Sequence, residues 1–160
     1  AELVATRGMS GMMTTVWLIL CSMAFGAALT AGGMTDGITR LFTKIARGRI
    51  STVASTVLSG VTLNVTTSDQ YISILLTGSV FRGIYSKNKL EHRLLSRATE
   101  DSATVTSVLI PWNSCGMVQS TVLGVATLTY LPFCFFNILS PLMSILVATT
   151  GYKIEVKNEE

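Results

Sequence analysis

Charge is confined to short segments of this chain, and that confinement restricts what the chain can fold into more than any other feature. Residues 8–35, 50–68, 70–81 and 102–152 carry no Asp, Glu, Lys or Arg and make up 110 of the 160 positions. Asp69 stands alone between the second and third of these stretches. About 18 apolar residues suffice for a helix to cross the hydrocarbon core of a bilayer, which is about 30 Å thick. Only 13% of the residues are charged, against roughly a quarter in an ordinary soluble domain. The expected fold class is therefore an all-α integral membrane protein, a transmembrane helix bundle. The net charge of +3 lies in short loops and not on one basic face, which argues against nucleic-acid binding.

The first span is expected over residues 12–31, with Gly26, Ala27 and Ala28 letting a neighbouring helix approach closely. Gly32 and Gly33 end it, and a loop carrying Asp36, Arg40, Lys44, Arg47 and Arg49 follows. Residues 50–81 are too long for one straight helix inside a bilayer, since 1.5 Å per residue gives about 48 Å. The break is expected at 63–69, where Asn64, Thr66, Thr67 and Ser68 favour caps and turns. Thr67 or Ser68 is expected to cap the second helix, with Asp69 in its first turn. The charged segment 82–101 comes next, with an amphipathic turn at the membrane interface around Leu90, Leu94 and Leu95. Lys and Arg exceed acids in both loops, and if both are cytoplasmic then 50–81 forms a re-entrant hairpin; one kinked crossing is the competing reading. Pro111 breaks the span at 102–126, and a last span covers 130–147 with Pro132 near its start and a kink at Pro141. Cys21, Cys115 and Cys134 lack metal or disulfide spacing and read as small hydrophobes. The first apolar block is too long for the core of a leader peptide, and the chain is expected to be part of something longer.

Two polar clusters thus lie inside apolar blocks, each at an expected helix break: Asn64, Thr66, Thr67, Ser68 and Asp69, then Thr104, Thr106, Ser107, Asn113 and Ser114. Broken helices that present carbonyls and helix ends to ions are the build of a secondary transporter. Hard cations such as sodium take oxygen ligands, and these side chains supply them. An ionisable group within a span is costly and marks function. Asp69 can neutralise a bound cation or carry a proton in its place. Asn64, Thr66, Thr67, Ser68, Thr104, Thr106, Asn113 and Ser114 are the candidate ligands beside Asp69. Glu100 and Asp101, at the mouth of the next span, join Asp69 as proton-coupling candidates. No phosphate loop or HExxH occurs, and His92 has no evident triad partner, so no enzyme chemistry, cofactor or resident metal is expected.

Thr67-Ser68-Asp69-Gln70-Tyr71, Leu95-Ser96-Arg97, Glu100-Asp101-Ser102-Ala103-Thr104 and Leu109-Ile110-Pro111-Trp112-Asn113-Ser114-Cys115-Gly116 resemble the C-terminal half of the NhaC-type sodium/proton antiporter family. Gly8-Met9-Ser10-Gly11-Met12 with Thr15-Val16-Trp17-Leu18 resembles the start of that half. Ala103 stands where the pattern leads one to expect glycine. The resemblance runs over about residues 7–151 and implies half of an inverted-repeat carrier with re-entrant hairpins and broken helices, multi-pass in the plasma membrane. It implies exchange of sodium for protons, with the lipid bilayer, an N-terminal half absent from these residues and, as an option, a second copy as partners. The alternatives are a sodium- or proton-coupled exchanger of small carboxylates such as malate and lactate, or of amino acids, and a non-transporting membrane fragment or assembly subunit.

Overall fold

The computed structural model describes residues 8–150; Gly151 and Tyr152, the end of the last uncharged stretch, lie outside the described residues. Among those described, the architecture is helical throughout and no strand forms. Helix α1, Gly8–Ala31, spans 24 residues, about 36 Å at the helical rise. It ends at Gly32 and Gly33, the latter in the left-handed region at φ 74°. The charged segment that follows is not a loop. Met34–Ile45 forms α2, because Thr35 and Thr39 face inward while Asp36, Arg40 and Lys44, four residues apart, share the exposed face. Asp36 in the first turn and Lys44 in the last complement the helix dipole.

The segment 50–81 is broken where its polar residues cluster. Helix α3, Arg49–Thr67, and helix α4, Gln70–Lys87, are separated by Ser68, left-handed at φ 59°, and Asp69, which is extended. The cap is displaced by one residue from the expectation: Asp69 itself caps α4, its side chain accepting from the Ile72 amide. Asn88, just past α4, donates through Nδ2 to Thr52 Oγ1 in the first turn of α3 at 2.7 Å, so the two helices double back as a hairpin.

Helix α5, His92–Thr99, runs into a wide π-type turn, Glu100–Thr104. A 3-10 turn, Ser107–Leu109, leads to extended Ile110 and the turn at Pro111. Helix α6, Ser114–Leu123, follows, then α7, Thr127–Tyr130, a 3-10 turn, Leu131–Phe133, and α8, Phe135–Thr150. The last apolar segment bends by 60° between Thr127–Phe133 and Phe135–Thr150, so the sharp turn falls at Cys134, and α8 runs through Pro141.

Helix α3 is the centre of the molecule and touches α1, α2, α4, α5, the π turn and α8. Val53, Val57, Phe81, Tyr85, Leu90, Leu95, Ala98 and Ala148 form one apolar cluster. Leu90 and Leu95, expected at a membrane interface, are therefore core residues, because α5 packs on α4 and α3. Beside this cluster α3 buries Thr52, Ser55, Thr56, Ser59, Asn64 and Thr67, whereas Trp17, Phe25, Leu75, Leu128, Phe133 and Phe136 are exposed. Gly60 permits the closest approach, since a Cβ there would run into the Ser102 side chain. One described helix, α1, is long and apolar enough to cross a membrane, and the bent α7–α8 pair makes a second if taken as one span.

Candidate ion site

The two helix breaks meet. At the first, Thr67 Oγ1 lies 2.8 Å from the Leu63 carbonyl and 3.0 Å from Ser73 Oγ, and Ser73 donates to the Asp69 carbonyl at 2.8 Å. This holds the Asp69 backbone extended and leaves its carboxylate free of the ladder. Asp69 is 3% exposed; Oδ1 accepts from the Ile72 amide at 3.0 Å and Oδ2 lies 3.4 Å from Ser114 Oγ. At the second break Asn113 caps α6, its Oδ1 accepting from the Cys115 amide at 3.1 Å. The Ser114 amide donates to the Ser68 carbonyl at 3.0 Å and so ties one break to the other.

Helix α1 closes the arrangement. Ser22 Oγ lies 3.3 Å from both the Ser68 and Trp112 carbonyls, and the Trp112 indole donates to the Val65 carbonyl at 2.8 Å. The approach depends on Gly26, where a Cβ would collide with the Thr67 carbonyl. Asp69 Oδ2 lies by Ser114 Oγ, and the Ser114 amide and Ser22 Oγ both reach the Ser68 carbonyl, so the groups gathered at the meeting of the breaks are mostly hard oxygens. Among the described residues no three His, Cys, Asp or Glu gather.

The other candidate residues divide among different tasks. Asn64 is fully buried; its Nδ2 donates to the Ala103 carbonyl and lies 3.1 Å from Thr106 Oγ1, its Oδ1 is buried without a partner among the described residues, and its backbone carbonyl accepts from Asn113 Nδ2 at 3.4 Å. Asn64, Thr106 and Asn113 therefore brace α3 against the second break, beside Asp69 and not on it. Thr66 bonds back to the Thr62 carbonyl at 2.9 Å. Thr104 and Glu100 line a separate groove. Asp101 accepts from Ser140 at 3.0 Å and from Ser144, both on α8, and Arg97 Nε stands 3.8 Å away.

Ser22, Ser73, Gln70 and Trp112 were not among the candidates. Ser73 carries a usable signal, four residues after Asp69 and so one turn along the same helix; Ser22, in an apolar span, carries none. Cys115, read as a small hydrophobe, donates through Sγ to Gln70 Oε1 at 2.7 Å.

A polar interior organised around helix breaks, inside an apolar exterior, is the build of a helical membrane carrier. The chain belongs to the Na+/H+ antiporter family, whose model matches residues 1–152. It is 35% identical to the Na(+)/H(+) antiporter NhaC of Bacillus subtilis over 92% of this chain and 32% of that protein. It is 36% identical to the NhaC antiporter of Alkalihalophilus pseudofirmus over 90% of this chain and 31% of the other. The arginine/ornithine antiporter ArcD of Halobacterium salinarum is 33% identical over 99% of this chain and 33% of its own length. The chain thus spans about a third of the length of these relatives. No solved structure matches it.

Proposed function

We propose that this chain forms the ion-binding part of a secondary transporter that exchanges sodium for protons across the cell membrane, with the rest of the carrier supplying the opposing wall. The observation that carries this reading is the buried Asp69 carboxylate at the meeting of two helix breaks, 3.4 Å from Ser114 Oγ. Sodium binds when Asp69 is ionised, with Ser114, Ser22 and the Ser68 and Trp112 carbonyls as further ligands. Protonation of Asp69 removes the charge that holds the ion, and this competition for one carboxylate is sufficient for exchange. The α3–α4 hairpin then enters and leaves the bilayer on one side, with Ser68 and Asp69 at its tip. Thr67 and Ser73 fix the tip, while Asn64, Asn113 and Thr106 brace it.

Asp101 serves a different role in this reading. Its carboxylate is already satisfied by two hydroxyls beside a guanidinium, which leaves it as the dock for α8.

The similarity to ArcD supports a second reading, in which the cation is an amino or guanidino group of a substrate. A carboxylate substrate fits less well, because both helix N-termini at the site are taken by their own caps, Asp69 and Asn113. The test is reconstitution of the full-length protein in vesicles containing a pH-sensitive dye. A sodium gradient is expected to drive proton movement in the wild type, and Asp69→Asn to abolish it. Unchanged flux in Asp69→Asn removes the carboxylate from the mechanism, and flux that requires arginine in place of sodium selects the second reading.

A further inference from the structure

A groove of about 390 Å³ runs along α4, with Ile74 and Gly78 on one wall and His92, Ser96, Thr99, Glu100 and Thr104 on the other. Gln70, Ile74 and Gly78 are four residues apart and so share a face of α4, which directs the groove toward the start of that helix, where Asp69 sits. Glu100 is exposed at the groove. Thr99 is 6% exposed and its Oγ1 is buried without a hydrogen-bond partner, a cost that a ligand in the groove relieves. At the end nearest Asp69 the two walls are joined: Ser107 Oγ lies 2.7 Å from the Thr104 carbonyl and 3.0 Å from Gln70 Oε1. Gln70 Oε1 also accepts from Cys115 Sγ, from the second break.

We propose that this groove is the route by which the cation reaches Asp69, with Glu100 and Thr99 as a waiting site for a monovalent cation and the Gln70 side chain as the barrier between groove and site. The proposal rests on the reading of Asp69 as the ion site. Glu100 concentrates cations in the groove electrostatically. Gln70, held by Ser107 and Cys115, must leave one of these partners before an ion passes.

The experiment uses the full-length protein in vesicles. Gly78 lines the groove and Gly83 faces outward on another side of α4; an added Cβ meets nothing within 4 Å at either position, so each accepts cysteine without a clash. Gly78→Cys and Gly83→Cys are labelled with a bulky charged thiol reagent, and each is compared with the same variant before labelling, with labelled wild type as the control for the native cysteines. Labelled Gly78→Cys is expected to lose most of its sodium-driven proton flux while labelled Gly83→Cys keeps it. Glu100→Gln is expected to slow sodium uptake roughly two- to fivefold at low ionic strength, an effect that salt erases. Full flux in labelled Gly78→Cys, or a Glu100→Gln variant that matches wild type at low salt, overturns the groove as the route and leaves the Asp69 site standing. Asp69→Asn transporting like wild type overturns the site itself, a separate outcome of the same assay.

Discussion

Asn64 shows how much one buried side chain can bear. It is fully buried, and its amide group donates to the Ala103 carbonyl in the π turn and lies beside the Thr106 hydroxyl. Replacing it with leucine keeps the volume but removes the donor to the Ala103 carbonyl and the Thr106 hydroxyl. Such a loss costs about 1–3 kcal/mol, and Asn64→Leu is expected to lower the melting temperature in detergent by several degrees. The proposed sodium site is expected to loosen with it, seen as weaker protection by sodium against thermal unfolding, since the Asn64 side chain ties α3 to Ala103 and Thr106 next to the second break. A variant that melts like wild type would mean that the brace is dispensable. Asp69 caps α4 through Oδ1, and since asparagine caps a helix as well as aspartate does, Asp69→Asn is read in transport.

Close approach at glycines decides how the elements fit. At Gly60 a Cβ meets the Ser102 side chain, whose Cβ lies 3.1 Å away and whose hydroxyl is held by the Ala98 carbonyl at 2.7 Å. Gly60→Ala must push α3 from the π turn, and overpacking of this kind costs about 1–3 kcal/mol. Adding Ser102→Gly removes the obstacle, so the pair is expected to recover part of the lost stability, a coupling that a double-mutant cycle measures. Additive losses would locate the damage elsewhere. Helix α8 docks by another route: Asn137, Ser140 and Ser144 line one face of it, bonding the Val105 carbonyl and Asp101. Ser140→Ala with Ser144→Ala is expected to free α8 and raise amide exchange through residues 135–150, with smaller changes in α4.

At the scale of the whole molecule, buried hydroxyls accompany the apolar cluster while many large apolar side chains lie outside. Hydroxyls of Thr52, Thr56, Ser59, Ser73 and Thr77 are buried, while Tyr71, Leu75, Leu128, Phe135 and Phe136 are exposed. Apolar patches of that extent aggregate in water, whereas in lipid they meet a matching solvent; of the buried hydroxyls, those of Thr52, Thr56 and Ser73 bond to carbonyls four residues back, and those of Ser59 and Thr77 have no partner among the described residues. The protein is expected to elute as a single species in detergent or lipid discs and to aggregate when detergent is removed; a soluble monomer without detergent would contradict a membrane setting.

Local chemistry determined what could be read from the residues alone. Charge avoidance over 110 positions marks an apolar environment, and the helix breaks lie near Ser68 and Pro111 because turn-forming side chains, or a missing amide hydrogen, act on their own segment. The helical character of 34–45 was legible in the four-residue spacing of Asp36, Arg40 and Lys44, yet net charge suggested a loop. Tertiary structure alone decided that the breaks touch, that Ser22 joins them across 90 residues to Trp112, and that Asp101 serves α8 across 39 residues to Ser140. Serine and threonine occur throughout these helices, and a hydroxyl that bonds its own turn looks the same in sequence as one that crosses to another helix. Which it does depends on whether the partner backbone comes within about 3 Å, and here that distance is set by the packing of distant segments at Gly26 and Gly60.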